Sequence, residues 1–411
     1  MKAIIKKRPA LDQEWYQGLS LAEKPEPQVT KPNEVKLKVK YAAICGTDVS
    51  IYKGTEALKN SMSSLKTPEV TIGHEFCGEL VEMGEDARQQ IVDLLYSRHF
   101  HNQKVSDFLS GHQPADLIES SDLLPFIKDN FYLTAEMHIV CGRCYQCLIG
   151  EGHVCRHTFI KGLHQDGAFA EFVVVPAENL VLFAKGEIPP EIIAFMDAIG
   201  NAVHTVQSTE VAGKSVLILG LGIQGLMAIA VAKKLGAAKI FVTDAADPGR
   251  GLTSEKLERT KFPLAKNLGA DYCFDVASEE GSQALAQTIH KETGQTGVDA
   301  VLEMSGSYRA FNDAFKNIRM GGTLALLGLP SGQLPVDFSK EIIFKGVTIK
   351  GVIGRRIFDT WELMRSLLTQ GGLSEEILKN KIITHQLPLA RFEEGFKALL
   401  SGDGLKVILC P

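Results

Sequence analysis

The chain has 411 residues, 45% of them apolar and 23% charged, with a formal net charge of -5. That length exceeds one ordinary core and points to two domains, while the composition is that of a globular protein in water. Nothing in the charge balance calls for nucleic acid or an anionic membrane as partner.

The first residues, Met1 to Lys7, read as a short strand without the long apolar core of a signal peptide. Short strands are expected over the first 80 residues, and 35–40 alternates apolar and lysine positions as a half-buried strand does. Within this stretch stand Cys45, then Thr47 and Ser50, and then the pair His74 and Glu75. Cysteine, histidine and carboxylate are ligand types that zinc accepts in open catalytic sites, although each residue alone is ordinary.

Residues 85–130 change character. Positions 89–95 are helical in pattern and the segment is rich in His, Asp and Ser, so it reads as an inserted helical excursion, mobile or partner-facing. Cys141, Cys144, Cys147 and Cys155 follow in a C-x2-C-x2-C-x7-C run interleaved with Gly142, Gly150 and Gly152. Four thiolates within 15 residues suit a closed structural zinc site. Disulfides and an iron–sulfur cluster are the competing readings. The remaining cysteines, at 45, 77, 273 and 410, are too scattered for a secreted disulfide framework, and no Pro follows Cys155 as the bacterial cluster spacing requires. The expected compartment is cytoplasm.

From about residue 190 apolar strand-like runs alternate with helical stretches: 215–219, 239–243, 271–274, 300–303, 323–327 and 348–353. Such alternation implies crossover units and a parallel sheet. The apolar stretch 216–232 contains Gly220, Gly222, Gln224 and Gly225 and reads as buried strand, turn and helix rather than a membrane span. Gly220, Gly222 and Gly225 form G-x-G-x-x-G between that strand and the helix expected at 226–235. In this context the pattern is a dinucleotide fingerprint. Asp244, closing the next strand, is the acid expected on a ribose diol and favours NAD over NADP; Arg250, just beyond it, is positioned in sequence to neutralise that preference. After residue 355 a helix at 360–368 and a last strand at 406–409 return to the earlier character. The expected domains are 1–190, catalytic and zinc-binding, 191–354, dinucleotide-binding, and 355–411, a return to the first.

The segments 43–49, 73–76, 141–155, 167–172, 197–205, 302–306 and 349–355 together resemble the zinc-dependent medium-chain dehydrogenases of the alcohol dehydrogenase superfamily, and among them the threonine dehydrogenases. The resemblance spans nearly the whole chain apart from 85–130 and 245–257. It implies an α/β fold in which a Rossmann doubly wound parallel-sheet domain is inserted in a β-rich GroES-like catalytic domain. Two zinc ions per chain and NAD are implied. Cys45, His74 and Glu75 would hold the catalytic zinc, and Cys141, Cys144, Cys147 and Cys155 the structural one. Asp197 matches an acidic position near the catalytic metal, and Thr47 a proton-passing hydroxyl. Ile223, Gln224, Leu327, Gly328, Leu329, Val352 and Ile353 fall at cofactor-contacting positions, and Lys261 near the adenosine ribose. The implied activity is oxidation of a secondary alcohol, with zinc as Lewis acid and nicotinamide as hydride acceptor. Threonine, oxidised to 2-amino-3-ketobutyrate, is the first substrate and a polyol or 2,3-diol the alternative. A homodimer or homotetramer acting on a small alcohol, with neither nucleic acid nor membrane as partner, completes the expectation. Ser50 departs from the family, which has a relay histidine there; a hydroxyl passes a proton but cannot store one near pH 7. The relay is therefore expected to end at water or another histidine. His138 stands at a family histidine position, with a substrate-side or a supporting role.

Overall fold

The computed structural model describes residues 1–10, 12–98, 100, 102–330 and 332–411; the side chain of Arg250 lies outside the described set. Two compact units emerge, Met1–Met196 with Ile383–Pro411, and Asp197–Ile382.

In the first unit a seven-stranded sheet is built around the strand Glu34–Ala43, flanked by Phe76–Met83 and by the C-terminal strand Lys406–Cys410. The two ends of the chain meet here: Ile408 pairs with Ala43 and Leu409 with Ala42 in antiparallel register. A three-stranded sheet is ordered Ser20–Glu23, Lys2–Lys7, Glu69–Thr71.

The expectation of strands alone over the first 80 residues needs correction. Gly46–Lys53 and Glu56–Met62 are helices. The first starts at Cys45 and stops at Gly54, whose φ of 70° ends the turn in the left-handed region. Only Asp48 and Ile51 of that helix are buried, too few to mark a 3.6-residue period in sequence.

The 85–130 segment is helical, as expected, but it is packed into the core rather than mobile. Four helices, Glu85–Tyr96, Gln103–Ser110, Pro114–Glu119 and Leu123–Asn130, place Ile91, Val92, Leu95, Val105, Leu117, Leu123 and Ile127 in the unit's main core. Phe108 and Phe126 stack on each other against this core, and Phe100 meets Phe131 edge-on within it at 5.1 Å. Each fully buried large apolar side chain stabilises by about 1.5–3 kcal/mol, so this segment is anchored core rather than a mobile excursion.

The second unit carries a six-stranded parallel sheet. Its spatial order is Tyr272–Asp275, Lys239–Asp244, Ser215–Leu219, Val298–Glu303, Ile318–Leu326, Thr348–Gly351. Numbered along the chain this is 3-2-1-4-5-6, the doubly wound order whose reversal point opens a ligand crevice at the strands' carboxyl ends. The helix Ile223–Lys234 is buried through its middle, from Gly225 to Ala232, which explains the long apolar run. Among the described residues no helix is long and apolar enough to cross a membrane. Residues 355–382, expected to return to the first unit, belong to the second. The helices Asp359–Thr369 and Leu373–Lys379 there bury Trp361, Met364, Leu368, Leu373 and Ile377, and the apolar pattern of a helix does not say which core receives it.

Candidate metal and cofactor sites

Cys45 ends the central strand region and caps the helix Gly46–Lys53. Its backbone N–H donates to Asp48 Oδ2 at 2.9 Å, and its Sγ lies 4.0 Å from Thr47 Oγ1. His74 and Glu75 precede the neighbouring strand Phe76–Met83, and both are buried. Pairing of the two strands brings the three together: the candidate ligand atoms of Cys45, His74 and Glu75 lie within 4.8 Å of one another.

Two residues to which the sequence alone assigned no role complete this cluster. Asp48, fully buried, sets Oδ1 3.5 Å from His74 Nδ1. Neither of these two buried atoms has a hydrogen-bond partner. A histidine that ligates metal through one ring nitrogen commonly turns the other to a carboxylate, and Asp48 is placed for that. Burial pushes the His74 imidazole down, but the Asp48 carboxylate and the Cys45 sulfur outweigh it and hold it well above its usual range. A proton is thus drawn to a pocket whose donor set suits a divalent cation. Lys406, from the C-terminal strand, hydrogen-bonds Glu75 Oε2 and donates to the Ile44 carbonyl at 3.0 Å. The Asp48 signal was available in the C-x-x-D spacing; that of Lys406 was not, since it is 331 residues from Glu75.

Cys141, Cys144, Cys147 and Cys155 converge as well, all as free thiols. Sulfur separations are 3.5 Å for Cys144–Cys147, 3.6 Å for Cys141–Cys155 and 3.8 Å for Cys144–Cys155. A tetrahedral zinc with bonds of about 2.3 Å needs edges of about 3.8 Å, so the cage fits zinc, and the separations exceed any disulfide bond. Backbone N–H groups of Cys144 and His157 point at Cys141 Sγ and Cys155 Sγ, each at 3.3 Å. The backbone N–H groups of Cys147 and Arg156 bring the Cys144 thiol down to about 6, whereas burial and the neighbouring sulfurs push Cys147 up to about 12. Four thiolates fill zinc's coordination and leave no place for a substrate.

The other candidates in this unit are placed as follows. Ser50 lies on the helix with Thr47, its carbonyl accepting from Thr55 N–H at 3.1 Å. His138 Nδ1 is 2.7 Å from Oε1 of buried Glu136, which suits a supporting role. A cavity of about 770 Å³ lined by Leu65, Thr158, His164 and Asp166 includes none of the clustered ligand candidates and is separate from them.

In the second unit each fingerprint glycine has its own reason. Gly220 has φ 99°, and a Cβ there would stand 2.8 Å from Ser305 Cβ. A Cβ on Gly225 would come within 1.8 Å of the Gly220 carbonyl oxygen, whereas one on Gly222 would meet nothing within 4 Å. The open space lies at Gly222, where the helix Ile223–Lys234 begins without a side-chain cap. Its first-turn N–H groups are therefore left for water or an anion such as a pyrophosphate. Gln224 Oε1 is buried there without a hydrogen-bond partner. Asp244 ends the second strand, as expected, and its Oδ2 is 2.7 Å from Lys261 Nζ.

Glu303, which sequence reasoning did not single out, organises the far wall. Its carboxylate accepts from the N–H groups of Ser305 at 2.8 Å and Gly306 at 3.0 Å. Its carbonyl accepts from Leu327 and Gly328 at 3.0 and 3.2 Å. Burial pushes its carboxyl up, against those donors. The turn Leu327, Gly328, Leu329 is thereby fixed at the strand ends, with Leu329 exposed. Val352 follows the last strand, its N–H donating to Leu326 at 2.9 Å, and Ile353 is exposed beyond it. Asp197, the first residue of this unit, forms an ion pair with Arg355 and accepts from Asn201 Nδ2 at 3.1 Å.

The zinc-binding dehydrogenase family matches residues 224–370, and the alcohol dehydrogenase GroES-like domain residues 31–106. An L-threonine 3-dehydrogenase of Caldanaerobacter subterraneus subsp. tengcongensis is 37% identical over 411 residues, covering 100% of this chain and 99% of that protein. Galactitol-1-phosphate dehydrogenase from Escherichia coli superimposes with a TM-score of 0.73 at 24% identity over 100% of each chain. For 2R,3R-butanediol dehydrogenase from Bacillus subtilis the values are 0.71 and 23%, over 100% of this chain and 99% of that one. These two solved structures are similar in fold.

Proposed function

The chain belongs to the zinc-binding alcohol dehydrogenases, and from that membership we propose that it oxidises the C3 hydroxyl of L-threonine with NAD, giving 2-amino-3-ketobutyrate. What carries the reading is the convergence of Cys45, His74 and Glu75 in a chain similar end to end to L-threonine 3-dehydrogenases. Zinc held by these three residues would supply Lewis acidity towards the substrate hydroxyl. NAD would supply the hydride acceptor.

The remaining roles belong to the chain's own groups. Cys45 and Glu75 provide negative charge, and Asp48 fixes the ring of His74. Thr47, whose hydroxyl lies beside the Cys45 sulfur, takes the substrate proton, with Ser50 next on the same helix. Asp197, held by Arg355, is assigned to the acidic position near the metal on resemblance alone. Gly220, Gly222 and Gly225 with Ile223 and Gln224 receive the pyrophosphate. Asp244 takes the adenosine ribose, with Lys261 orienting its carboxylate. Leu327, Gly328, Leu329, Val352 and Ile353 line the nicotinamide side. A zinc held by Cys141, Cys144, Cys147 and Cys155 would fasten their loop and, with all four positions filled by sulfur, would take no part in the chemistry. A homodimer or homotetramer is part of the same proposal.

A substrate panel tests this directly. L-threonine is expected to give NADH, with NAD favoured over NADP by at least about tenfold, the size of one mispaired charged contact. Turnover of sorbitol or 2,3-butanediol with none of L-threonine would replace the substrate assignment with the polyol reading.

The Ser50 departure makes its own prediction. Ser50→His should add a group titrating near pH 6.5 to the kcat/KM profile, with the acid limb falling as that imidazole protonates. A pH profile identical to that of the parent enzyme removes Ser50 from the relay.

A further inference from the structure

Lysine is almost never fully buried without a specific partner, yet Lys406 is 1% exposed and Glu75, which it hydrogen-bonds, is 2% exposed. The same ammonium donates to the carbonyl of Ile44, the residue before Cys45, and lies 5.6 Å from the centre of the Phe195 ring. One cation from the C-terminal strand thus ties together the two segments that carry Cys45 and Glu75. Enclosing it forfeits the hydration of its charge, which plain packing could avoid with an apolar residue.

Charge explains what the lysine does for the cluster. The Cys45 thiolate and the Asp48 and Glu75 carboxylates are three negative charges, and Lys406 is one positive charge, so the group is left with the double negative charge that a divalent cation neutralises. Lys406 also engages Oε2 of Glu75, which restricts how that carboxylate can approach a metal.

We propose that Lys406 is a positioning residue that weakens Glu75 as a zinc ligand, so that the carboxylate does not close the coordination position a substrate needs. The inference rests on the assignment of the catalytic zinc to Cys45, His74 and Glu75. Without the ammonium, both carboxylate oxygens are available to the metal, and a like charge beside it is gone. Both changes tighten zinc and obstruct the open position.

The test is zinc release from the two-zinc holoenzyme to a chromogenic chelator, the Cys45-site phase being the one missing from Cys45→Ser. Lys406→Met should slow that phase by about tenfold, the lower end of what a residue behind a metal ligand controls, while kcat falls. Lys406→Arg, which keeps charge and donors, should restore both. Release as fast as or faster than in the parent enzyme, from a Lys406→Met protein that is folded and carries two zincs, overturns the proposal; it would mean that Lys406 only supports the fold. If Lys406→Met does not fold, the same comparison is made with Lys406→Gln. A Cys45→Ser protein that retains both zincs overturns the underlying site assignment instead, and the proposal with it.

Discussion

Cys45→Ser is expected to leave one zinc per chain instead of two and to cut turnover by about a thousandfold. A serine hydroxyl does not become the anionic, soft ligand that a thiolate is, and only His74 and Glu75 of the trio remain. Metal polarisation contributes several kcal/mol of transition-state stabilisation, and about 1.4 kcal/mol is a factor of ten in rate, hence the expected loss. Stability should change little. Cys45 is only half-buried and sits at a helix start whose N–H to Asp48 bond comes from backbone. Metal analysis together with steady-state kinetics reads both effects; full activity with a single remaining zinc would place the catalytic metal elsewhere.

The reverse pattern is expected for Cys144→Ser. Zinc should again fall to one per chain, but the loss appears in stability. Treated as a clip that closes the 15-residue loop 141–155, the metal is worth about 3 kcal/mol. For a unit of this size that corresponds to roughly 6–12 °C in Tm. Much of this loop is open to solvent: Tyr145, Leu148 and Ile149 are exposed, and the helix Tyr145–Leu148 buries nothing. Limited proteolysis should therefore cut first within 141–155, while the core of the same unit, built from residues such as Leu37, Phe76 and Leu133, holds. A loop as protease-resistant as the parent's would show that the four sulfurs are not its anchor. The two variants separate an open metal site from a closed one by where each deficit falls.

What could be read from the chain in one dimension was what its local chemistry encodes. Cys141 to Cys155 lie within one short loop, so spacing alone anticipates their convergence. The glycine fingerprint is a strand, a turn and a helix in immediate succession, and the steric demands at Gly220 and Gly225 are met within a few residues or by the adjacent strand end. The parallel strands were legible because each is a continuous apolar run between helical stretches. Cys45 with His74 and Glu75 was harder: the link between residues 29 or more apart came from resemblance to a family, not from spacing.

Only the tertiary structure decided the rest. The helices of 85–130 are amphipathic, and amphipathicity states that a face is buried without stating against what; the fold places those faces in the first unit's core. The same ambiguity holds for residues 355–382, whose packing places them in the second unit. Lys406 had no sequence signal, being one lysine among many, and became significant when antiparallel pairing of Lys406–Cys410 with Glu34–Ala43 carried its ammonium to Glu75. Local sequence therefore determined which segments could hold zinc and a dinucleotide, because turn geometry and ligand spacing are short-range properties. Strand pairing across the whole chain decided which buried charges surround the open metal site, because long-range register leaves no periodicity in sequence to read.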